Sequence, residues 1–216
     1  MNDTLVITPT YNEKENIENI IRKVFSLDKA FDMLIIEDNS PDGTADIVKR
    51  LMQEFPDRLF IKERKGKLGL GTAYLDGFRW GLEHGYEYMI EMDADFSHNP
   101  EDLPRLYEAC STGKGDVVVG SRYVDGKISV VNWPMGRLMM SYYASVYVRT
   151  ITHMKVMDAT AGFVCYSRRV LEKMKFDKVK FVGYAFQIEM KYTATRLGFN
   201  LYEVPIIFTD RVLGTS

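Results

Sequence analysis

The alternation of short β-rich runs with stretches of helical periodicity constrains this chain more than any other feature. Thr4-Leu5-Val6-Ile7-Thr8 ends at Pro9; Asn12 and Glu15 have the spacing of a capping pair, and Ile17, Ile20, Ile21, Val24 and Phe25 share one helical face. Met33-Leu34-Ile35-Ile36 runs into Glu37-Asp38-Asn39-Ser40-Pro41-Asp42-Gly43, after which Ala45, Val48, Leu51 and Met52 keep helical spacing. Leu59-Phe60-Ile61 precedes a loop with Gly66, Gly69 and Gly71 and a helix carrying Ala73, Tyr74, Phe78 and Leu82. Tyr88-Met89-Ile90-Glu91-Met92 then delivers Asp93-Ala94-Asp95. Repeated β-α units predict a Rossmann-like α/β architecture, a mainly parallel central sheet with helices on both faces. In such a sheet the ligand crevice lies outside the carboxyl ends of the strands, where Asp38, Asp93 and Asp95 are expected to converge. Three acidic side chains in one crevice repel unless cations join them.

The second half is less regular. Asp116-Val117-Val118-Val119 reads as a strand, 134–155 as a long helix, Gly162-Phe163-Val164-Cys165-Tyr166 as a β run and 185–197 as a helix. In the last run, Tyr202 to Phe208, Pro205 cannot donate to a ladder, which predicts an edge or bulged position. Apolar residues between Trp133 and Met154 surround more than one helical face, a pattern that suits a lipid carrier, core packing or an oligomer contact. No linker or repeat divides the chain. One domain over 1–216 is expected, with a nucleotide-binding half over about 1–120 and an acceptor-facing half over about 121–216.

Composition excludes some partners. A net charge of -2 over 216 residues gives no general pull toward nucleic acid, so anion binding must be local. Cys110 and Cys165 lack a CxxC partner and read as buried, reduced thiols. No run reaches the length of a membrane span, and the N-terminus lacks a signal-peptide layout, so the polypeptide is expected to be soluble or peripheral.

Asp93-Ala94-Asp95 places two carboxylates where both reach one hard cation, magnesium or manganese, which would also hold a diphosphate. Alone, the pair reads more readily as a solvated turn, since acidic pairs at strand ends are common. The Gly69-Leu70-Gly71 loop is a poor dinucleotide fingerprint: Tyr74 stands at the third glycine position and the loop does not follow the first strand. His84, His98 and His153 have no zinc spacing.

Pro9-Thr10-Tyr11-Asn12-Glu13, Asp38-Asn39-Ser40-Pro41-Asp42-Gly43-Thr44, Lys67-Leu68-Gly69-Leu70-Gly71-Thr72-Ala73-Tyr74 and Met92-Asp93-Ala94-Asp95-Phe96-Ser97-His98 follow one another in order. So do Gly120-Ser121-Arg122-Tyr123, Asn132-Trp133, Asp158 to Phe163, Gly183 to Met190 and Phe208 to Ser216. Together they resemble the dolichol-phosphate mannosyltransferases of glycosyltransferase family 2, over nearly the whole chain. The resemblance implies a GT-A fold and a nucleotide sugar, GDP-mannose first, contacted by Pro9, Tyr11, Glu13, Asp38, Lys67, Asp93 and Ala94. It implies Mg2+ or Mn2+ on Asp93 and Asp95, catalytic roles for Asp95, Arg122, Arg211 and Gln187, and an acceptor phosphate at Arg137, Ser141 and Arg211. Glu13 also reads as a helix-end charge, and Arg137 equally as a surface residue.

A polyprenol phosphate is already largely dianionic at neutral pH, since its second pKa lies near ~6, and it attacks the anomeric carbon without a strong base, inverting it. Gln187 stands where hydroxyl-glycosylating relatives place an acidic residue, which leans toward a phosphate acceptor. A sister enzyme using UDP-glucose or another nucleotide sugar with a different acceptor is the alternative within the family, and a non-catalytic nucleotide-sugar-binding module the alternative outside it. The expected setting is the cytoplasmic face of a membrane, held there peripherally or through an anchoring segment or subunit outside this chain. Where the family's last motif commonly continues with a basic residue, this sequence stops at Ser216.

Overall fold

A computed structural model describes residues 2–124 and 126–211; the rest of the terminal motif, 212–216, lies outside the described residues. Strands β1 (Thr4–Thr10), β2 (Asp32–Glu37), β3 (Leu59–Glu63) and β4 (Tyr88–Glu91) alternate with helices α1 (Ile17–Phe25), α2 (Thr44–Glu54) and α3 (Leu70–Glu83). Then come α4 (Leu103–Ser111), β5 (Val117–Ser121), β6 (Val130–Val131), α5 (Met135–Thr152), β7 (Val164–Ser167), α6 (Arg168–Lys173), α7 (Ala185–Arg196), β8 (Leu201–Pro205) and β9 (Phe208–Thr209). Seven strands form one sheet in the order β3-β2-β1-β4-β7-β5-β8, and β6 pairs with β9 separately. All neighbours in the large sheet run parallel except β7, which is antiparallel to both β4 and β5.

Side chains alternate across a strand, so β1 feeds two cores. Leu5 and Ile7 pack with Tyr74, Phe78, Tyr166 and Phe186 on one face. Val6 packs with Ile17, Ile20, Ile21 and Leu106 on the other. The predicted apolar face of α1 is the observed one: Ile17, Ile20, Ile21 and Val24 are fully buried, each contributing roughly 1.5–3 kcal/mol over exposure. Pro205 lies on β8, the edge strand, as its missing N–H predicts.

Several details differ from expectation. Asn12 and Glu15 do not cap α1: Asn12 takes a left-handed turn at φ 59°, and the helix begins later, with Asn16 donating to Glu13. Glycine spacing in the third loop serves packing, since a Cβ on Gly71 would lie 2.7 Å from the Phe186 ring. α5 is not a core helix: Ser145 is its one fully buried residue among those described, while Met135, Met140, Tyr143, Tyr147 and Ile151 are all more than half exposed.

Candidate active site

The loops leaving β1 and β2 are stitched together by side chains. Asn12 N donates to Ser40 Oγ at 3.0 Å, Glu13 N to Thr44 Oγ1 at 3.1 Å and Lys14 N to Asp42 Oδ2 at 3.1 Å. The buried Glu37 carboxylate accepts from the backbone of Asn39 and Ser40, both at 2.8 Å. These bonds hold two predicted motifs, 28 to 31 residues apart, at one end of the sheet. The crevice there has a volume of about 260 Å³, and Pro9, Tyr11, Glu13, Asp38, Lys67, Asp93 and Ala94 all line it, joined by Asp95 and Arg211. Lys67 Nζ sits 4.9 Å from the Tyr11 ring centre. A neighbouring hollow of about 490 Å³ shares Asp95 and includes Phe96, Thr209 and Asp210.

Sequence reading missed four participants. Arg64, just past β3, clamps Asp38 through Nε (2.6 Å) and Nη2 (2.7 Å) and also reaches Thr72. Its position at the carboxyl end of a strand was the available signal. Tyr74 Oη donates to Asp93 Oδ1 at 3.3 Å, and Tyr184 stands at the rim, almost fully exposed. His98 Nδ1 accepts from Asp93 N at 3.2 Å while its ring stacks on Phe163, which braces the acidic turn.

The carboxylates share one guanidinium. Arg211 Nε donates to Asp95 Oδ2 at 2.9 Å and Nη2 to Glu13 Oε1 at 2.5 Å. Burial pushes the Asp93 carboxyl up, with the Asp95 charge adding to it, despite the opposing His98 ring. Burial acts on Asp95 too, but the Ser97 N–H and Arg211 outweigh it and hold Asp95 below the usual carboxylate range. Glu13 is raised by burial, which its bonds to Asn16 and Arg211 only partly offset. Among the described residues no three His, Cys, Asp or Glu side chains form a closed metal cage. Two hard oxygen donors in a site short of positive charge fit a divalent ion whose remaining ligands come from a diphosphate and water.

The other predicted residues lie outside the crevice lining. Arg122 is buried and committed to Asp158: Nε reaches Oδ2 and Nη2 reaches Oδ1, both at 2.7 Å. Arg137 Nη1 holds both oxygens of Asp210 at 2.9 Å, and the Asp210 carboxylate also accepts from Arg211 N at 3.2 Å, so these two acceptor candidates are joined through one carboxylate. Ser141 Oγ accepts from Tyr123 Oη at 2.9 Å. Gln187 is buried, its amide without a hydrogen bond of good geometry, as are both carboxylate oxygens of Glu91.

Known proteins share this design. The sequence profile of glycosyl transferase family 2 matches residues 5–175. The polyprenol monophosphomannose synthase of Mycolicibacterium smegmatis is 46% identical over 213 residues, covering 99% of this chain and 80% of the relative. The undecaprenyl-phosphate mannosyltransferase of Micrococcus luteus is 43% identical over 212 residues, covering 98% and 86%. Among solved structures, the Pyrobaculum calidifontis mannosyltransferase PcManGT with GDP-Man and Mn2+ superposes with a TM-score of 0.61 at 19% identity, over 98% of this chain and 57% of that one. Glucosyl-3-phosphoglycerate synthase of Mycobacterium tuberculosis with Mn2+, UDP and glucosyl-3-phosphoglycerate gives 0.70 at 18% identity, over 100% and 73%. At such identities the likeness is one of fold, the GT-A α/β fold expected from the sequence.

Proposed function

Because the chain belongs to glycosyltransferase family 2 and is a glycosyltransferase, we propose that it transfers mannose from GDP-mannose to the phosphate of a polyprenol, inverting the anomeric carbon. The observation that carries this reading is the convergence of Glu13, Asp93, Asp95 and Arg211 in the crevice lined by the predicted nucleotide-sugar residues. The activities named for the two relatives at 43% and 46% identity supply the mannose and the polyprenol phosphate.

In this reading residues 1–120 hold the donor and 121–216 face the acceptor. Tyr11 covers the base or ribose, while Glu13 and Asp38 accept hydrogen bonds from them; Asp38 keeps a second lone pair on each oxygen beyond those given to Arg64. Lys67 and Arg211 meet phosphate oxygens, and the Arg211 fork suits two at once. Mg2+ or Mn2+ on Asp93 and Asp95 would add positive charge at the departing nucleoside diphosphate. The acceptor phosphate, already dianionic, attacks without surrendering a proton, so the reaction asks no basic carboxylate of the chain. Gln187 then acts from behind the crevice and Arg122 as a positioning residue through its bond to Asp158, while Arg137 and Ser141 on α5 orient the acceptor.

α5 also carries the exposed Met140, Tyr143 and Tyr147, a surface suited to the lipid side of the acceptor. Among the described residues no helix is long and apolar enough to cross a membrane. Peripheral attachment at the cytoplasmic face, or an anchor supplied outside this chain, is therefore part of the proposal.

Calorimetric titration of GDP, UDP, GDP-mannose and UDP-glucose, each with and without Mn2+, tests the donor. Labelled mannose appearing on a detergent-dispersed polyprenyl phosphate tests the acceptor. Metal-dependent preference for the guanosine pair together with labelled lipid is the expected result; preference for uridine would overturn the donor assignment.

A further inference from the structure

Arg211 bridges two acidic side chains of the crevice. Its Nε holds Asp95 Oδ2 and its Nη2 holds Glu13 Oε1, at 2.9 and 2.5 Å, so one guanidinium ties the acidic turn after β4 to the loop after β1. The third arm is different: Nη1 is buried and, among the described residues, has no hydrogen-bond partner. A buried guanidinium donor left unmet marks an arrangement that is not the one in which all its donors are used. The phosphate oxygens of a donor would supply the acceptor that it lacks.

From these contacts we infer that Arg211 is a stand-in cation: it neutralises Glu13 and Asp95, and it would leave Asp95 for the phosphates of a metal-bound donor. The inference rests on the proposed metal position at Asp93 and Asp95. A dication approaching Asp95 meets a carboxylate whose Oδ2 already holds the charged Arg211 and whose Oδ1 accepts from Ser97 N, and like charges repel. Metal alone therefore has to displace the guanidinium without offering it a new partner. A nucleoside diphosphate removes the conflict, because its oxygens accept the N–H groups released from Asp95 and also ligate the ion. Metal and nucleotide then bind with positive coupling, and by linkage each tightens the other by the same factor.

Mn2+ affinity of the whole chain, read from the paramagnetic resonance signal of the free ion with and without GDP, tests the idea without any turnover. For the wild type, weak binding of Mn2+ alone and a tightening of roughly tenfold or more by GDP are expected, within the usual range of coupling between sites. In Arg211→Ala, Mn2+ alone should bind about tenfold more tightly, and the tightening by GDP should shrink. Arg211→Gln, which still hydrogen-bonds but carries no charge, should behave in the same way and guards against a local collapse in the alanine variant. Unchanged or weaker binding of Mn2+ alone in both variants, with Asp95→Asn still weakening it, overturns the stand-in role and leaves the metal site intact. If Asp95→Asn has no effect on Mn2+ binding in the presence of GDP, the metal position itself is wrong, and the inference falls with it.

Discussion

Replacing Asp158 by asparagine removes a charge from the most enclosed ion pair among the described residues. Asp158 is fully buried and accepts from Arg122 N at 3.0 Å and from Nε and Nη2 at 2.7 Å each. Arg122 is itself 8% exposed, so its guanidinium has little access to water once the carboxylate is gone; Thr160 Oγ1 at 2.9 Å is the other side-chain acceptor it has. Breaking a buried pair by removing one partner costs about 3–5 kcal/mol, because the remaining charge is left uncompensated. For a chain of this size each kcal/mol moves Tm by about 2–4 °C, so Asp158→Asn should melt about 6–20 °C lower, followed by circular dichroism or by urea midpoint at constant m. The double variant Arg122→Met/Asp158→Leu should recover much of that loss, since neither charge is then buried. Acid should narrow the gap. Burial pushes Asp158 up, but the Arg122 bonds outweigh it and hold the carboxyl below its ordinary value, so its contribution is present above the unfolded pKa and disappears as pH falls through the folded one. A loss under about 1 kcal/mol, the scale of an exposed pair, would refute the reasoning.

Asp95→Ala should abolish metal-dependent transfer while leaving the far-ultraviolet spectrum unchanged; retained turnover would remove Asp95 from the metal site. Burial pushes Glu91 up to about 8 from 4.5, so the folded chain keeps a proton that the unfolded chain releases, and stability falls as pH rises between those values. Glu91→Gln should flatten that decline in urea melts taken from pH 5 to 8. Gly71→Ala should destabilise by about 1–3 kcal/mol, because the added methyl meets the Phe186 ring at 2.7 Å; a wild-type melting temperature would show that the ring moves aside freely.

The first four strands and three helices were readable because each is local: an apolar run ending at a polar loop, then one apolar helical face. The acidic pair was legible for the same reason, since a strand of known direction delivers it to a known edge. What could not be read depends on pairs distant in sequence. Arg64 and Asp38 are 26 residues apart, and Arg122 and Asp158 are 36 apart. Arg122, singled out by its motif, holds a carboxylate that no spacing rule connects to it. The openness of α5 was likewise undecidable, because a helix apolar on several sides reads the same whether protein or lipid covers it. The direction of β7 was hidden too: Val164–Ser167 is as apolar as its parallel neighbours, and nothing in four residues states which way they run.

That reversed strand has an architectural consequence. Parallel strands present their exits to the crevice, whereas β7 presents its entrance, so the segment that feeds it arrives on the substrate side. Asp158 thereby meets Arg122 at the exit of β5, and the approach from α5 to β7 runs along the crevice end of the sheet instead of behind it. Length added between α5 and β7 would therefore lie at the crevice end of the sheet, away from the helix turns at its opposite end.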